Sequence, residues 1–285
     1  MKKLLVVIIM SIVLLKEGIA YSKDAIVLAT FGTRSRSVAT YSYFESIIYK
    51  NFPEFTIKWA FTSNKIRRFK KDNSEQSLID TLQSLQREGF SRVFIQPLFI
   101  FPAYEYLLLL QDIKTFKNMQ IYVSTPLIYD EVDMKEALLA LNEFYITDGL
   151  NILIAHGTKE KLGNFNNIYL KFADYINNTH DNVVLITIDG EPNISRLREK
   201  LSHINTKKAQ FIPFMFTAGN HIEEDIAKEN SVIKSMVKKH IDNVSILKTT
   251  YNNKLYYMGL GFNNKIADIY IRKLKNVIED GNKKD

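Results

Sequence analysis

The sequence predicts an α/β protein of two pseudo-symmetric halves, each a four-stranded parallel sheet flanked by helices, with one cleft between them. Three observations carry that expectation. Short apolar runs alternate with amphipathic stretches along most of the 285 residues, the pattern of parallel strands joined by helices. The run Ile26-Val-Leu-Ala-Thr-Phe-Gly32-Thr33 returns as Ile152-Leu-Ile-Ala-His-Gly157-Thr158, and Phe94-Ile-Gln-Pro97 is echoed by Phe211-Ile-Pro213. A four-stranded unit is therefore duplicated, with its join near residues 125–150. Finally, His156 and His221 each fall just past an apolar run, on the edge of an open α/β sheet where loops gather into a ligand crevice. No linker rich in Gly, Pro or Ser separates residues 24–130 from 131–285, so two packed halves are expected rather than two free domains.

Taken in order, Ala25–Thr30 is a continuous apolar run of strand length, followed by an amphipathic stretch from Val38 to Lys50. Thr56–Thr62 is the next strand, and Ser74–Glu88 a helix closed by Gly89. Arg92–Phe99 is a strand, Tyr104–Lys117 a helix and Gln120–Ser124 a strand. The second half repeats the plan: strand Asn151–Ala155, helix Asn164–Asn177, strand Val183–Ile188, and helix Ile194–His203 begun by Pro192, a residue suited to a first helical turn. Strand Gln210–Phe216, helix Glu223–His240, strand Val244–Lys248 and helix Asn264–Glu279 complete it.

Residues 1–20 stand outside this plan. Lys2-Lys3 precedes an apolar run from Leu4 to Leu15 broken only by Ser11, and Gly18-Ile19-Ala20 supplies small residues at a cleavage site. That order is a secretory signal, and the run is short of the roughly 20 residues that span a bilayer. The expectation is an exported, periplasmic protein that starts at Tyr21 and has no stable membrane anchor. With no cysteine in the chain, lipid attachment through a thiol, disulfides and thiolate metal ligands are excluded. The formal charge is +7, and removing Lys2, Lys3, Lys16 and Glu17 leaves +5. The basic residues are scattered, with no Arg/Lys block interleaved with aromatics, so nucleic acid is not an expected partner; an anionic small molecule suits the balance. A homo-oligomer is left open.

Of five histidines, His180, His203 and His240 sit in polar loops or at helix ends and read as surface residues. His156 and His221 lie at equivalent strand ends of one half. Between them in sequence comes Thr187-Ile-Asp189-Gly190-Glu191-Pro192, which puts two carboxylates at a third strand end. A carboxylate before a helix is also explained by capping and the helix dipole. Two imidazoles with a carboxylate suit Co, Fe, Ni or Zn, and affinity order alone does not choose among them.

Several short pieces carry a family likeness: Thr30-Phe31-Gly32-Thr33, Ala60-Phe61-Thr62-Ser63, Ile95-Gln96-Pro97-Leu98, His156-Gly157 and Ala218-Gly219-Asn220-His221. With them the chain resembles the class II tetrapyrrole chelatases over residues 24–280, most closely the sirohydrochlorin cobaltochelatases of the anaerobic cobalamin pathway. The resemblance implies a lyase-type metallochelatase that places a divalent metal, with Co²⁺ first and Fe²⁺ or Ni²⁺ as alternatives, into a sirohydrochlorin-type ring without an organic cofactor. It implies that His156 and His221 bind the metal with a carboxylate. The family's glutamate stands three residues before a proline, where this chain has Asp189, so Asp189 and Glu191 both remain candidates. A histidine common in the family after Gln-x-Leu is Phe99 here. Inserting a divalent ion releases two pyrrole protons, and an imidazole, with an unperturbed pKa of about 6.5, can both perch a metal and accept a proton. His156, Asp189 and His221 are thus the catalytic candidates. Thr33, Arg34 and Arg36 are candidates to hold substrate carboxylates by charge-assisted hydrogen bonds, with Phe31 and Tyr104 packing on the ring. An exported tetrapyrrole or metal carrier on the same fold, and an iron chelatase, are the alternative readings.

Overall fold

In the computed structural model, residues 23–33, 35–63, 76–158 and 165–283 are described. The proposed leader (1–20), Tyr21, Arg34, and Ser74 at the start of the second expected helix lie outside them. The first sheet has the order β2-β1-β3-β4, made of β1 (Lys23–Thr30), β2 (Thr56–Phe61), β3 (Phe90–Pro97) and β4 (Gln120–Val123). The second repeats it as β6-β5-β7-β8, with β5 (Leu150–Gly157), β6 (Val183–Asp189), β7 (Lys208–Pro213) and β8 (Asn243–Ile246). All the pairings within these two sheets are parallel. The same strand order twice over is the duplicated α/β unit that the repeated motifs predict.

Eight α-helices connect the strands among the described residues: α1 (Ala39–Asn51), α2 (Leu78–Arg87), α3 (Tyr104–Ile113), α4 (Glu131–Leu141), α5 (Asn166–Thr179), α6 (Ile194–His203), α7 (Val232–Lys238) and α8 (Asn264–Asn282). None of the described helices is long and apolar enough to cross a membrane. Strand side chains alternate in direction, and the core follows that alternation. Ala25, Val27 and Ala29 pack outward against Leu78, Leu82 and Leu85 of α2. Leu150, Ile152 and Ile154 pack outward against Leu197 and Leu201 of α6. The opposite faces, Ile26 and Leu28 of β1 with Leu153 and Ala155 of β5, enter one shared cluster with Phe44, Phe172, Phe214 and Tyr270. Full burial of side chains of this size contributes about 1.5–3 kcal/mol each, so the shared cluster welds the halves. The last helix strengthens the weld. Although α8 follows the second sheet in sequence, it packs on β3 and β4 of the first, and a Cβ on its Gly281 would lie 2.8 Å from the Phe94 ring.

Four expectations need correction. The helix expected over Glu223–His240 is two elements: a π-helical turn at Ile222–Ala227, then α7. Ser231 breaks it, because its hydroxyl caps Lys234 N as an N-terminal residue rather than sitting mid-helix. Helix α6 is started by Asn193, whose side chain accepts from Ser195 N at 2.8 Å; Pro192 precedes the cap and its carbonyl accepts from Thr187 N. Strand β7 stops at Pro213, freeing Phe214–Phe216 to turn across the strand ends. An antiparallel hairpin, β9 (Lys248–Tyr251) and β10 (Lys254–Tyr257), follows β8 where a single strand Val244–Lys248 is expected. Its two-residue turn, Asn252-Asn253, has φ of 48° and 58°, the left-handed pair a tight hairpin demands and asparagine tolerates.

Candidate metal centre

The carboxyl ends of β1, β2 and β3 from one sheet and β5 and β7 from the other enclose a cleft of about 440 Å³, within the size range of small-molecule sites. Backbone hydrogen bonds lace its walls. Thr62 N donates to Thr30 O at 2.9 Å and Ser63 N to Phe31 O at 3.1 Å, so the Thr-Phe-Gly-Thr and Ala-Phe-Thr-Ser pieces form one double loop. Buried Gln96 donates its amide to the carbonyls of Pro97 and Thr125 at 3.0 and 3.1 Å. That fastens the segment Leu98–Phe101, which supplies much of the apolar wall together with Phe31, Phe214, Met215 and Phe216. Phe99 is part of this wall, and its side chain packs against the outer cluster of the first half.

His156 and His221 meet there, with ring centroids 4.7 Å apart and planes at 86°. Strand β5 delivers His156, and Gly157 then turns the chain at φ 75°. A Cβ at Gly157 would lie 1.7 Å from the Asp189 carbonyl oxygen, so no other residue fits this turn without moving β6. His221 arrives from the loop after β7 and opens the π-turn, an irregular element often found at functional sites.

Second partners fix both imidazoles. His156 Nδ1 lies 3.0 Å from Gly157 O, and His221 Nδ1 lies 2.8 Å from Asp225 Oδ2. A carbonyl and an ionised carboxylate only accept, so each Nδ1 carries the proton and donates. In the neutral imidazole each Nε2 then holds a lone pair, the state a metal ligand requires. The carboxylate–imidazole pair at Asp225 is the arrangement that orients metal-binding histidines elsewhere and raises their basicity.

The carboxylates of the sequence expectation fall elsewhere. Asp189 ends β6 with its backbone paired to Gly157, and neither it nor Glu191 is among the residues lining the cleft. Glu191 accepts from Asn193 N at 2.9 Å and Asn193 Nδ2 at 2.6 Å, locking the start of α6. Among the described residues, no third His, Cys, Asp or Glu joins the two histidines in a group able to hold one ion. The carboxylate on the cleft wall is Glu105, in the first turn of α3. Burial pushes the Tyr169 phenol far above its ordinary pKa, with the Glu105 charge adding to the rise, so Tyr169 lines the cleft as a protonated hydroxyl. Sequence reasoning passes over Glu105 because an acidic residue in a first helical turn already complements the dipole. Asp225 carries a faint signal, its i+4 spacing from His221.

Phe31 lies 6.0 Å from His156 and is 45% exposed, a large apolar ring left open at the cleft mouth. Thr33 is buried and lines the cleft. Tyr104 lies beside it, its ring 6.3 Å from Phe165, and does not line it. Arg36 lines a neighbouring hollow instead.

Comparison with known proteins agrees with this fold. The sequence model of the family described as cobalt chelatase (CbiK) matches residues 24–279. A sirohydrochlorin cobaltochelatase, CbiKC, of Nitratidesulfovibrio vulgaris is 25% identical over 223 residues, covering 74% of this chain and 78% of its own. Among solved structures, SirB from Bacillus subtilis with Fe³⁺ superposes with a TM-score of 0.60 at 13% identity, over 90% of this chain and 95% of that one. The sirohydrochlorin chelatase SirB from Bacillus subtilis subspecies spizizenii, in complex with cobalt, gives 0.57 at 13% identity over 90% and 96%. At these identities the two structures speak for the shared fold.

Proposed function

The chain belongs to the cobalt chelatase family, and from that premise we propose that it inserts Co²⁺ into a sirohydrochlorin-type tetrapyrrole in the cleft between its halves. The observation that carries this reading is the pair of imidazoles meeting at 4.7 Å with both Nδ1 atoms committed as donors. His156 and His221 present the ion through Nε2. The apolar walls receive the face of the macrocycle, with Phe31 packing on it beside His156 and Tyr104, the first residue of α3, as the second aromatic candidate. The ring then exchanges two N–H protons for the ion. Glu105, which lines the cleft with Tyr169, is the candidate to accept one of them, and an imidazole of the pair, its Nε2 released as the ion passes to the ring, accepts the other. Asp189, at the position of the family's glutamate, is the candidate to complete the ligand set by a movement of the β6 end, and Glu191 the second candidate. Thr33 on the cleft wall, Arg36 in the neighbouring hollow and Arg34 between them in sequence are the candidates to hold substrate carboxylates.

Insertion is tested by following the absorbance of sirohydrochlorin with purified protein and Co²⁺, Fe²⁺ or Ni²⁺ in parallel. Acceleration over the protein-free rate, largest with Co²⁺, is the expected result. Fe²⁺ outpacing Co²⁺ makes the protein an iron chelatase, and tight ring binding without acceleration makes it a carrier.

We also propose that the protein is exported with cleavage after Ala20. The support is the Lys-Lys, apolar and small-residue order of residues 1–20. Amino-terminal sequencing of protein expressed from the full chain should start at Tyr21; an intact cytosolic product would refute export.

A further inference from the structure

A ring rich in carboxylates must place them somewhere, yet no lysine or arginine lines the cleft among the described residues. Two cations among the described residues lie in a neighbouring space. There a second hollow of about 270 Å³ opens against the β9–β10 hairpin, bounded by Arg36, Ser37, Glu223, Lys248, Tyr256 and Tyr257. The two spaces share adjoining residues of one loop. Gly219 lines the cleft and the preceding Ala218 lines the hollow. A Cβ on Gly219 would come within 2.6 Å of Thr33 Oγ1 and 3.6 Å of Ser37 Oγ. The two hydroxyls, 3.4 Å apart, belong to one buried Thr33–Ser35–Ser37 group that faces both spaces.

The cations of this hollow are held but not neutralised. The Arg36 guanidinium sits 5.9 Å over the Tyr256 ring, and the Lys248 ammonium 5.4 Å over Tyr257. Ring contact of this kind fixes a cation's position while leaving its N–H donors available. Among the described residues neither makes an ion pair, and one carboxylate, Glu223, faces the two positive charges. Three of these groups come from the hairpin, an addition with no counterpart among the described residues of the first half. The duplicated plan therefore acquired a basic, aromatic hollow on one side of the cleft only.

We propose that this hollow is a carboxylate subsite: an acidic arm of the macrocycle seated in the cleft passes the Gly219 edge and is bound by Arg36 and Lys248. This rests on the reading of the cleft as an anionic-tetrapyrrole site. Charge-assisted hydrogen bonds from two placed cations select rings whose arms reach the hollow, so the hairpin sets substrate specificity rather than metal choice.

The test is the affinity of sirohydrochlorin, and of uroporphyrin as a second polycarboxylate ring, measured by quenching of Trp59 fluorescence at low and high salt. Lys248→Gln and Arg36→Gln should each raise Kd about tenfold, the equivalent of about 1.4 kcal/mol, and the double variant should flatten the salt dependence. Lys248→Arg, which keeps charge and ring contact, should stay within about twofold of the parent. A folded double variant with parental affinity and salt dependence overturns the subsite while leaving the cleft reading intact. Equal loss in Lys248→Arg and Lys248→Gln marks a structural lysine and also overturns it. Failure of the parent protein to bind either ring removes the cleft reading, and the subsite with it.

Discussion

Alanine at His156 or at His221 should abolish metal insertion. Each substitution removes one of the two imidazoles that meet in the cleft. Loss of an orienting partner alone typically costs 10–100-fold in metal affinity, so loss of the ligand itself should exceed about 100-fold. The ring-binding walls stay intact, so both variants should still bind sirohydrochlorin. Asp225→Asn supplies a graded comparison. Its amide oxygen can still accept from His221 Nδ1, which preserves the tautomer, but the negative charge is gone. Co²⁺ affinity should then fall toward the lower end of that 10–100-fold range, with insertion reduced rather than lost. Calorimetric titration of Co²⁺ and single-turnover insertion measured on the same samples separate the two effects. Parental insertion in either alanine variant would show that the ion does not travel through this pair.

How much of this was legible in the sequence depends on the range of the interactions involved. The two sheets and both histidine positions were, because they follow from local patterns: apolar runs of strand length, a repeated strand-end motif, and a glycine after His156 that the crowding against Asp189 O explains. Where two local signals competed, the reading failed. Ser231 and Asn193 outranked the helical periodicity around them as caps. The alternation Lys248–Tyr257 is a hairpin because Asn252-Asn253 accepts left-handed φ, a turn signal that the preceding strand masked. Long-range placement was the least legible. Nothing in the local sequence says that α8 crosses to the first sheet, that Glu105 reaches the cleft wall, or that Arg36 faces away from the cleft into its neighbour.

That last class of information decides what the carboxylates do. Glu105→Gln should slow insertion by about 10²-fold or more, the ordinary contribution of a positioned proton acceptor, while leaving Co²⁺ affinity near its parental value. The reason is position: Glu105 lines the cleft with Tyr169, with no lysine or arginine among the described lining residues, and among them it is not grouped with the histidines. Asp189→Ala should act on the other quantity. Its backbone is paired to Gly157, one residue from His156, so a ligand role there would appear as weaker Co²⁺ binding, and Asp189→Glu, restoring the length of the family's side chain, should recover it. Glu191→Ala should touch neither. Its two hydrogen bonds to Asn193 hold the start of α6, and their loss should cost about 1 kcal/mol of stability, as for other helix caps. Metal affinity, insertion rate and thermal midpoint measured on all four variants assign each carboxylate by the quantity it moves. An inactive Asp189→Ala beside a fully active Glu105→Gln would make Asp189 the essential carboxylate and leave Glu105 as a helix-start residue. A Glu191→Ala variant with lost metal binding and unchanged stability would mean that the β6 end rearranges around the ion, carrying the longer side chain to the histidines.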